Sequence, residues 1–148
     1  MKLLLDAMCG GLRAYLRLCG HDTAYTLDRG VEGDDAIAAL AREEDRTVVT
    51  RDRDLAAATD GILLRERDPV DQLRELAAAG VDLTPTDEPE RCGRCNGPLD
   101  RVPDDEPTPE YAPDPSDTPV WQCPDCDQCF WKGSHHERMV ETLASVRA

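Results

Sequence analysis

Two short runs of apolar or β-branched residues in this chain stop abruptly on carboxylates. Lys2-Leu-Leu-Leu-Asp6 is one, and Arg46-Thr-Val-Val-Thr-Arg-Asp-Arg-Asp-Leu55 is the other. Runs of this length and composition read as buried strands. In an open parallel sheet, ligands bind beyond the carboxyl ends of the strands. Asp6, Asp52 and Asp54 are therefore expected to gather at one edge of a sheet. Such a cluster is repulsive and persists best when a cation neutralises it. The pattern points to a divalent-metal site.

The intervening positions alternate between helical and extended periods. Leu12, Leu16 and Cys19 repeat at helical spacing, so a helix is expected over 11–19, with Gly20 as its stop. Arg13 and Arg17 lie four apart on that helix, either as solvated cations or as phosphate contacts near the acidic edge. Thr23 to Leu27 reads as a second strand. Asp34 follows a polar loop and reads as an N-cap, or else as a third carboxylate of the cluster, with Asp35 as its substitute. Ile62 to Leu64 reads as a fourth strand. Asp68-Pro69 opens a helix through Ala79, closed by Gly80. Strands alternating with helices imply an α/β fold with a mainly parallel sheet.

Thr84-Pro-Thr-Asp-Glu-Pro-Glu90 has linker composition, which divides the chain into residues 1–83 and 91–148. The second part is poor in large apolar residues and needs a staple. Cys92-Gly-Arg-Cys95 and Cys123-Pro-Asp-Cys126 supply one, with 27 residues between the pairs. Two residues between thiolates let both sulfurs reach one tetrahedral zinc. Four thiolates close its coordination shell, which makes the zinc structural rather than catalytic. Cys129 forms a further CxxC with Cys126, so it is either an alternative ligand or a small core residue ahead of Phe130-Trp131. Val102 to Pro119 holds six prolines and six acids, and is expected to be an irregular loop extending a hairpin.

Charge changes the picture twice. The net charge is −14, from 31 acidic and 17 basic side chains, and Lys2 and Lys132 are the only lysines. An acidic, lysine-poor chain looks adapted to high salt. Acidity also disfavours nucleic acid, but at about 1 M salt the Debye length is only about 3 Å. No signal-like or membrane-spanning run is present, so the seven cysteines point to a reducing cytoplasm and to metal binding rather than disulfides.

Leu5-Asp-Ala-Met8, Tyr15-Leu-Arg-Leu-Cys-Gly-His-Asp22 and Thr50-Arg-Asp-Arg53 together resemble the Mut-seven C-terminal ribonuclease family. Arg91-Cys-Gly-Arg-Cys-Asn-Gly97, Trp121-Gln-Cys-Pro-Asp-Cys126 and Trp131-Lys-Gly-Ser-His135 extend the resemblance over nearly the whole chain. It implies a PIN-like three-layer nuclease domain followed by a small zinc ribbon. By position it assigns the acids to Asp6, Asp34 and Asp52, with Asp54 matching a further acid of related domains. The chain departs from the pattern at Asp127, where such knuckles carry Gly; Asp can also enter the left-handed region.

The expectation is a ribonuclease using Mg²⁺ or Mn²⁺ held by Asp6, Asp34 and Asp52, with Asp54 beside them. Arg13, Arg17 and Arg51 would contact RNA. Trp121, Phe130 and Trp131 either stack on RNA or pack around the zinc. His21 follows a helix-ending Gly, where a surface position is expected. The rivals are an inactive zinc-ribbon adaptor for RNA or protein, and a nuclease acting on DNA.

Overall fold

Leu3, Leu4 and Leu5 are all fully buried, yet they serve two different cores. In the computed structural model, which describes residues 1–148, they form strand β1 (Lys2–Leu5). Alternate side chains of a strand leave on opposite faces. Leu3 and Leu5 accordingly join one apolar cluster and Leu4 joins another. A strand buried on both faces belongs inside a parallel sheet. There β1 pairs in parallel with β2 (Asp22–Tyr25) and with β3 (Thr47–Thr50), and β4 (Ile62–Leu63) adds beyond β3. The strand order is β2-β1-β3-β4.

Helices cover both faces. Leu16 of α1 (Arg13–Leu18) and Leu73 and Leu76 of α4 (Pro69–Ala78) pack with Leu3 and Leu5. Ile37 and Ala41 of α2 (Asp34–Glu44) and Leu55 of α3 (Arg53–Thr59) pack with Leu4 and Val48. The α/β expectation holds, with a four-stranded parallel sheet flanked by helices.

Some local expectations need correction. The first helix does not start at Gly11: a 3₁₀ turn spans Ala7–Leu12, and the α-helix begins at Arg13. Asp6 starts that turn early by accepting a hydrogen bond from the Ala7 N–H. Gly10 allows it, because a Cβ there would lie 2.6 Å from the Tyr25 hydroxyl. Asp34 is not an N-cap; Gly33 holds that position with φ 86° and gives no side-chain cap. His21 is not at the surface. It is buried, with Nε2 2.6 Å from the Asp82 carbonyl and Nδ1 3.0 Å from the N-terminal ammonium. Nε2 therefore donates and Nδ1 accepts, and burial lowers the pKa of this neutral imidazole.

Beyond the linker, β5 (Asp100–Arg101), β6 (Val120–Gln122) and β7 (Cys129–Trp131) form an antiparallel ribbon in that order. Residues 102–119 connect β5 to β6 without helix or strand, as the prolines require. They are nevertheless pinned. Tyr111 lies with its ring 6.1 Å from that of Trp131, and its hydroxyl accepts the Cys129 N–H. The last helix, α5 (Ser134–Arg147), was not anticipated from sequence. Its Leu143 and Val146 join the same cluster as Leu3 and Leu73, and Arg147 donates to the Leu83 carbonyl at 2.7 Å. The chain thus returns from the ribbon to the core it started from. No helix is long and apolar enough to cross a membrane.

Candidate functional site: an acidic edge and a thiolate cluster

Strand order fixes where the acids meet. From β1 the chain proceeds to a neighbour on one side, and from β3 to a neighbour on the other. The crevice beyond the carboxyl ends of β1 and β3 is therefore the topological switch point. Asp6 follows β1 directly, and Asp52 lies two residues beyond β3. Their backbones are locked together, since the Asp6 N–H donates to the Val49 carbonyl at 3.0 Å.

The side chains are tied as well. Thr50, fully buried at the end of β3, donates its hydroxyl to Asp6 Oδ2 at 2.7 Å. The Thr50 hydroxyl oxygen in turn accepts the Asp52 N–H at 3.0 Å. Asp52 Oδ1 caps α3 by accepting the N–H groups of Asp54 and Leu55. Thr50 was not singled out from sequence, because a β-branched residue ending a buried strand reads simply as strand. Its hydroxyl becomes legible only once Asp6 is known to lie alongside.

Asp34 opens α2, the helix leading into β3, and takes no part in its capping. Its pKa is raised, by desolvation first and then by the charges of Asp52, Asp6, Asp54 and Asp35. The charges of the other expected acids are thus felt at Asp34, with Asp35 exposed beside it. A carboxyl raised in the fold adds stability below its unfolded pKa and loses it as pH rises through its folded pKa. At neutral pH the edge is thus electrostatically strained. The carboxylates are not drawn into one coordination sphere; only the thiolates are grouped that tightly. Oxygen donors of this kind suit a hard divalent cation. Beneath the edge, burial and then the Asp6 charge push the Cys9 thiol up to about 12, so Cys9 stays a neutral core residue.

The arginines divide. Arg13 lies over the Tyr25 ring, 4.5 Å from its centroid, with Nε donating to the Gly10 carbonyl. Arg51 is half-buried at the edge, and its Nε is sealed from solvent without a partner. It lines a small cleft with Arg53 and Arg65, neither singled out from sequence because isolated arginines on polar segments carry no pattern. Arg17 is a correction. It is 1% exposed and spends its guanidinium on the carbonyls of Thr23 and Gly93. Spacing put it on the face of Arg13, but its length carries it inward against β2, where no phosphate can reach it.

The second cluster comprises Cys92, Cys95, Cys123 and Cys126, whose sulfurs all lie within 4.8 Å of one another. Cys92 and Cys126 are 3.6 Å apart and Cys95 and Cys123 are 3.4 Å apart. A tetrahedron with metal–sulfur bonds of about 2.3 Å has edges of about 3.8 Å, so the four fit one zinc. Burial pushes the Cys92 thiol up to about 12, a cost that a bound cation removes by taking the thiolate. Asn96 and Asp127 follow their knuckles with φ of 73° and 65°, so Asp127 does take the left-handed turn. Cys129 lies outside the group of four, buried with Val102 and Val120.

The model of the Mut7-C RNAse domain family matches residues 1–143, and the chain belongs to that family. The class is therefore that of a ribonuclease-type α/β domain carrying a four-cysteine site fit for zinc. No curated protein and no solved structure matches the chain.

Proposed function

We propose that the protein is a metal-dependent ribonuclease whose Mg²⁺ or Mn²⁺ is held by Asp6, Asp34 and Asp52, with Asp54 completing the acidic edge. What supports this reading is the topology: Asp6 and Asp52 follow β1 and β3 at the switch point, and Asp34 opens the helix that leads into β3. A bound divalent ion supplies charge neutralisation at the scissile phosphate and activates water at neutral pH. The chain's own residues position that chemistry. Thr50 orients the Asp6 carboxylate, and the α3 N-terminus fixes Asp52. Arg51, next in sequence to Asp52, offers an unpartnered donor for a phosphate oxygen, with Arg13 near Gly10 on the other flank. In this reading residues 1–83 cleave, and residues 91–148, stapled by zinc, hold the RNA.

The test is cleavage of labelled single-stranded RNA and DNA in Mn²⁺ at high salt, comparing wild type with Asp6→Asn, Asp34→Asn and Asp52→Asn. Metal-dependent loss of RNA, absent in the variants, is the expected result. Equal cleavage by all four proteins sinks the assignment, and wild-type inactivity favours the adaptor. Thr50→Val tests the support beneath the site. Removing an outer hydrogen bond to a metal ligand typically costs about 10- to 100-fold in metal affinity or activity. The Mn²⁺ needed for half-maximal cleavage should rise accordingly, with zinc content unchanged. An unaltered Mn²⁺ requirement removes Thr50 from the site.

The working environment follows from charge. Only four of the 31 acidic side chains, Asp22, Asp28, Glu44 and Asp71, come within 4.0 Å of a cationic nitrogen. The remainder repel one another until salt screens them. The melting temperature should rise from millimolar to molar KCl, and a flat or falling profile rules out the adaptation to salt.

A further inference from the structure

A cavity of about 460 Å³ opens at the seam between the parallel-sheet unit and the ribbon, beside the first cysteine knuckle, whose Gly93 and Arg94 line it. Ala14 and Leu18 of α1 line it together with Phe130 and Trp131 of β7. Its size falls in the range of small-ligand pockets, about 300–1,000 Å³. Its charge is the unexpected property. In a chain with 31 acidic side chains, none lines this cavity, whereas Arg91, Arg94, His135 and His136 all do.

Two features point to an occupant. His136 Nε2 is sealed from solvent with no hydrogen-bond partner. A buried polar nitrogen left unpaired is costly, and a ligand that pairs it recovers that cost. Beside it α5 begins at Ser134 without any side-chain cap, and its first residues, Ser134 to His136, line the cavity. Uncapped N–H groups and the positive end of a 14-residue helix favour an anion. An aromatic wall, apolar sides and an anion-seeking end together match a nucleotide, with its base against Phe130 and Trp131 and its phosphate toward α5.

We propose that this cavity binds one unstacked nucleotide of a single-stranded RNA, holding the strand while it is cut at the acidic edge. The assignment rests on the reading of the chain as an RNA-cutting protein. It also gives a task to the Trp131-Lys-Gly-Ser-His135 motif, which the carboxylates and the zinc leave unused. Base stacking is tolerant of sequence, so the pocket favours single strands over particular bases.

The test separates binding from cleavage. Full-length Asp52→Asn protein, zinc-loaded and without added Mg²⁺ or Mn²⁺, is titrated with a fluorescein-labelled RNA 10-mer, and separately with 5′-AMP while Trp fluorescence is followed. Phe130→Leu keeps bulk but removes the aromatic face, and Ala14→Met fills the cavity from a helical position. Each, made in the Asp52→Asn background, should weaken RNA binding by about tenfold or more. Melting temperature and zinc content should match the parent. 5′-AMP should alter Trp fluorescence in the parent but not in Ala14→Met. Undiminished RNA affinity in both folded variants overturns the proposal, as does RNA affinity lost only with zinc. Binding of an apolar peptide in place of RNA and AMP overturns it in favour of a protein partner. Should the parent bind RNA through this cavity while wild type fails to cleave, the nuclease reading falls and the pocket stands.

Discussion

Asp52→Asn should lose Mn²⁺-dependent RNA cleavage by at least about a hundredfold while melting within about 0.5 kcal/mol of wild type. The pairing of a large kinetic effect with a small thermodynamic one follows from the two oxygens of this side chain. Oδ1 accepts two N–H groups at the start of α3, and Asn caps a helix about as well as Asp. What Asn removes is the negative charge that a hard cation requires. It also relieves part of the repulsion felt by Asp34, so stability in metal-poor buffer should hold or rise. Asp52→Ala gives the contrast, because it loses the cap as well and should be about 1 kcal/mol less stable. Activity and melting temperature measured on both variants decide the matter. A protein that melts early as Asp52→Asn uses this residue structurally, and one that cleaves RNA as Asp52→Asn does not use it for metal.

Cys95→Ser should release the zinc and unfold the ribbon, leaving the parallel sheet in place. The ribbon has little else to hold it. Its strands are two or three residues long and its buried apolar cluster contains only Val102, Val120 and Cys129. Structural zinc in small modules contributes folding free energy of order 10 kcal/mol, far beyond what such a cluster offers. The parallel-sheet unit has a core of its own, to which α5 contributes Leu143 and Val146. Metal analysis should find about one zinc per wild-type chain and none in Cys95→Ser. Limited proteolysis should cut first within residues 91–133 while α5 stays protected by its packing on α4. If Cys129→Ser instead releases the zinc and Cys126→Ser keeps it, the ligand set is wrong.

Most of this architecture lay open in the sequence, for reasons that differ by element. Val48 and Val49 between polar flanks could hardly be anything but a buried strand, and both are fully buried in β3. Asp68-Pro69 carried its own boundary, and the Asp68 side chain does accept the Val70 N–H. The two CxxC pairs announced a four-sulfur cluster by spacing alone, and their sulfurs do gather. What was hidden depends on reach and on tertiary partners. Arg17 looks like Arg13 in a helical projection, yet carbonyls of Thr23 and Gly93 draw it inside. His21 was misplaced because its partners, Asp82 and the chain terminus, are distant in sequence. The 134–147 stretch carries Met139, Val140, Leu143 and Val146 at helical spacing, but the polar residues between them and its place after the cysteine pairs mask that period. Asp34 could be read as cap or ligand until Gly33 proved to hold the cap position.

The knuckle at Asn96 carries one more consequence. β2 is the outer strand of the sheet, with β1 as its only partner. Asn96 accepts the N–H of Thr23 and donates to the Asp22 carboxylate, so the turn of the first cysteine pair lies along that border. An uncovered border of this kind is a template for a second chain. Loss of a metal held there would therefore do more than loosen a small module: it would leave the Thr23 N–H without its partner on the outer strand. A metal-starved cell would then hold copies that stick to each other edge to edge. With metal bound, the thiolates would shield the border of the sheet as well as hold the ribbon.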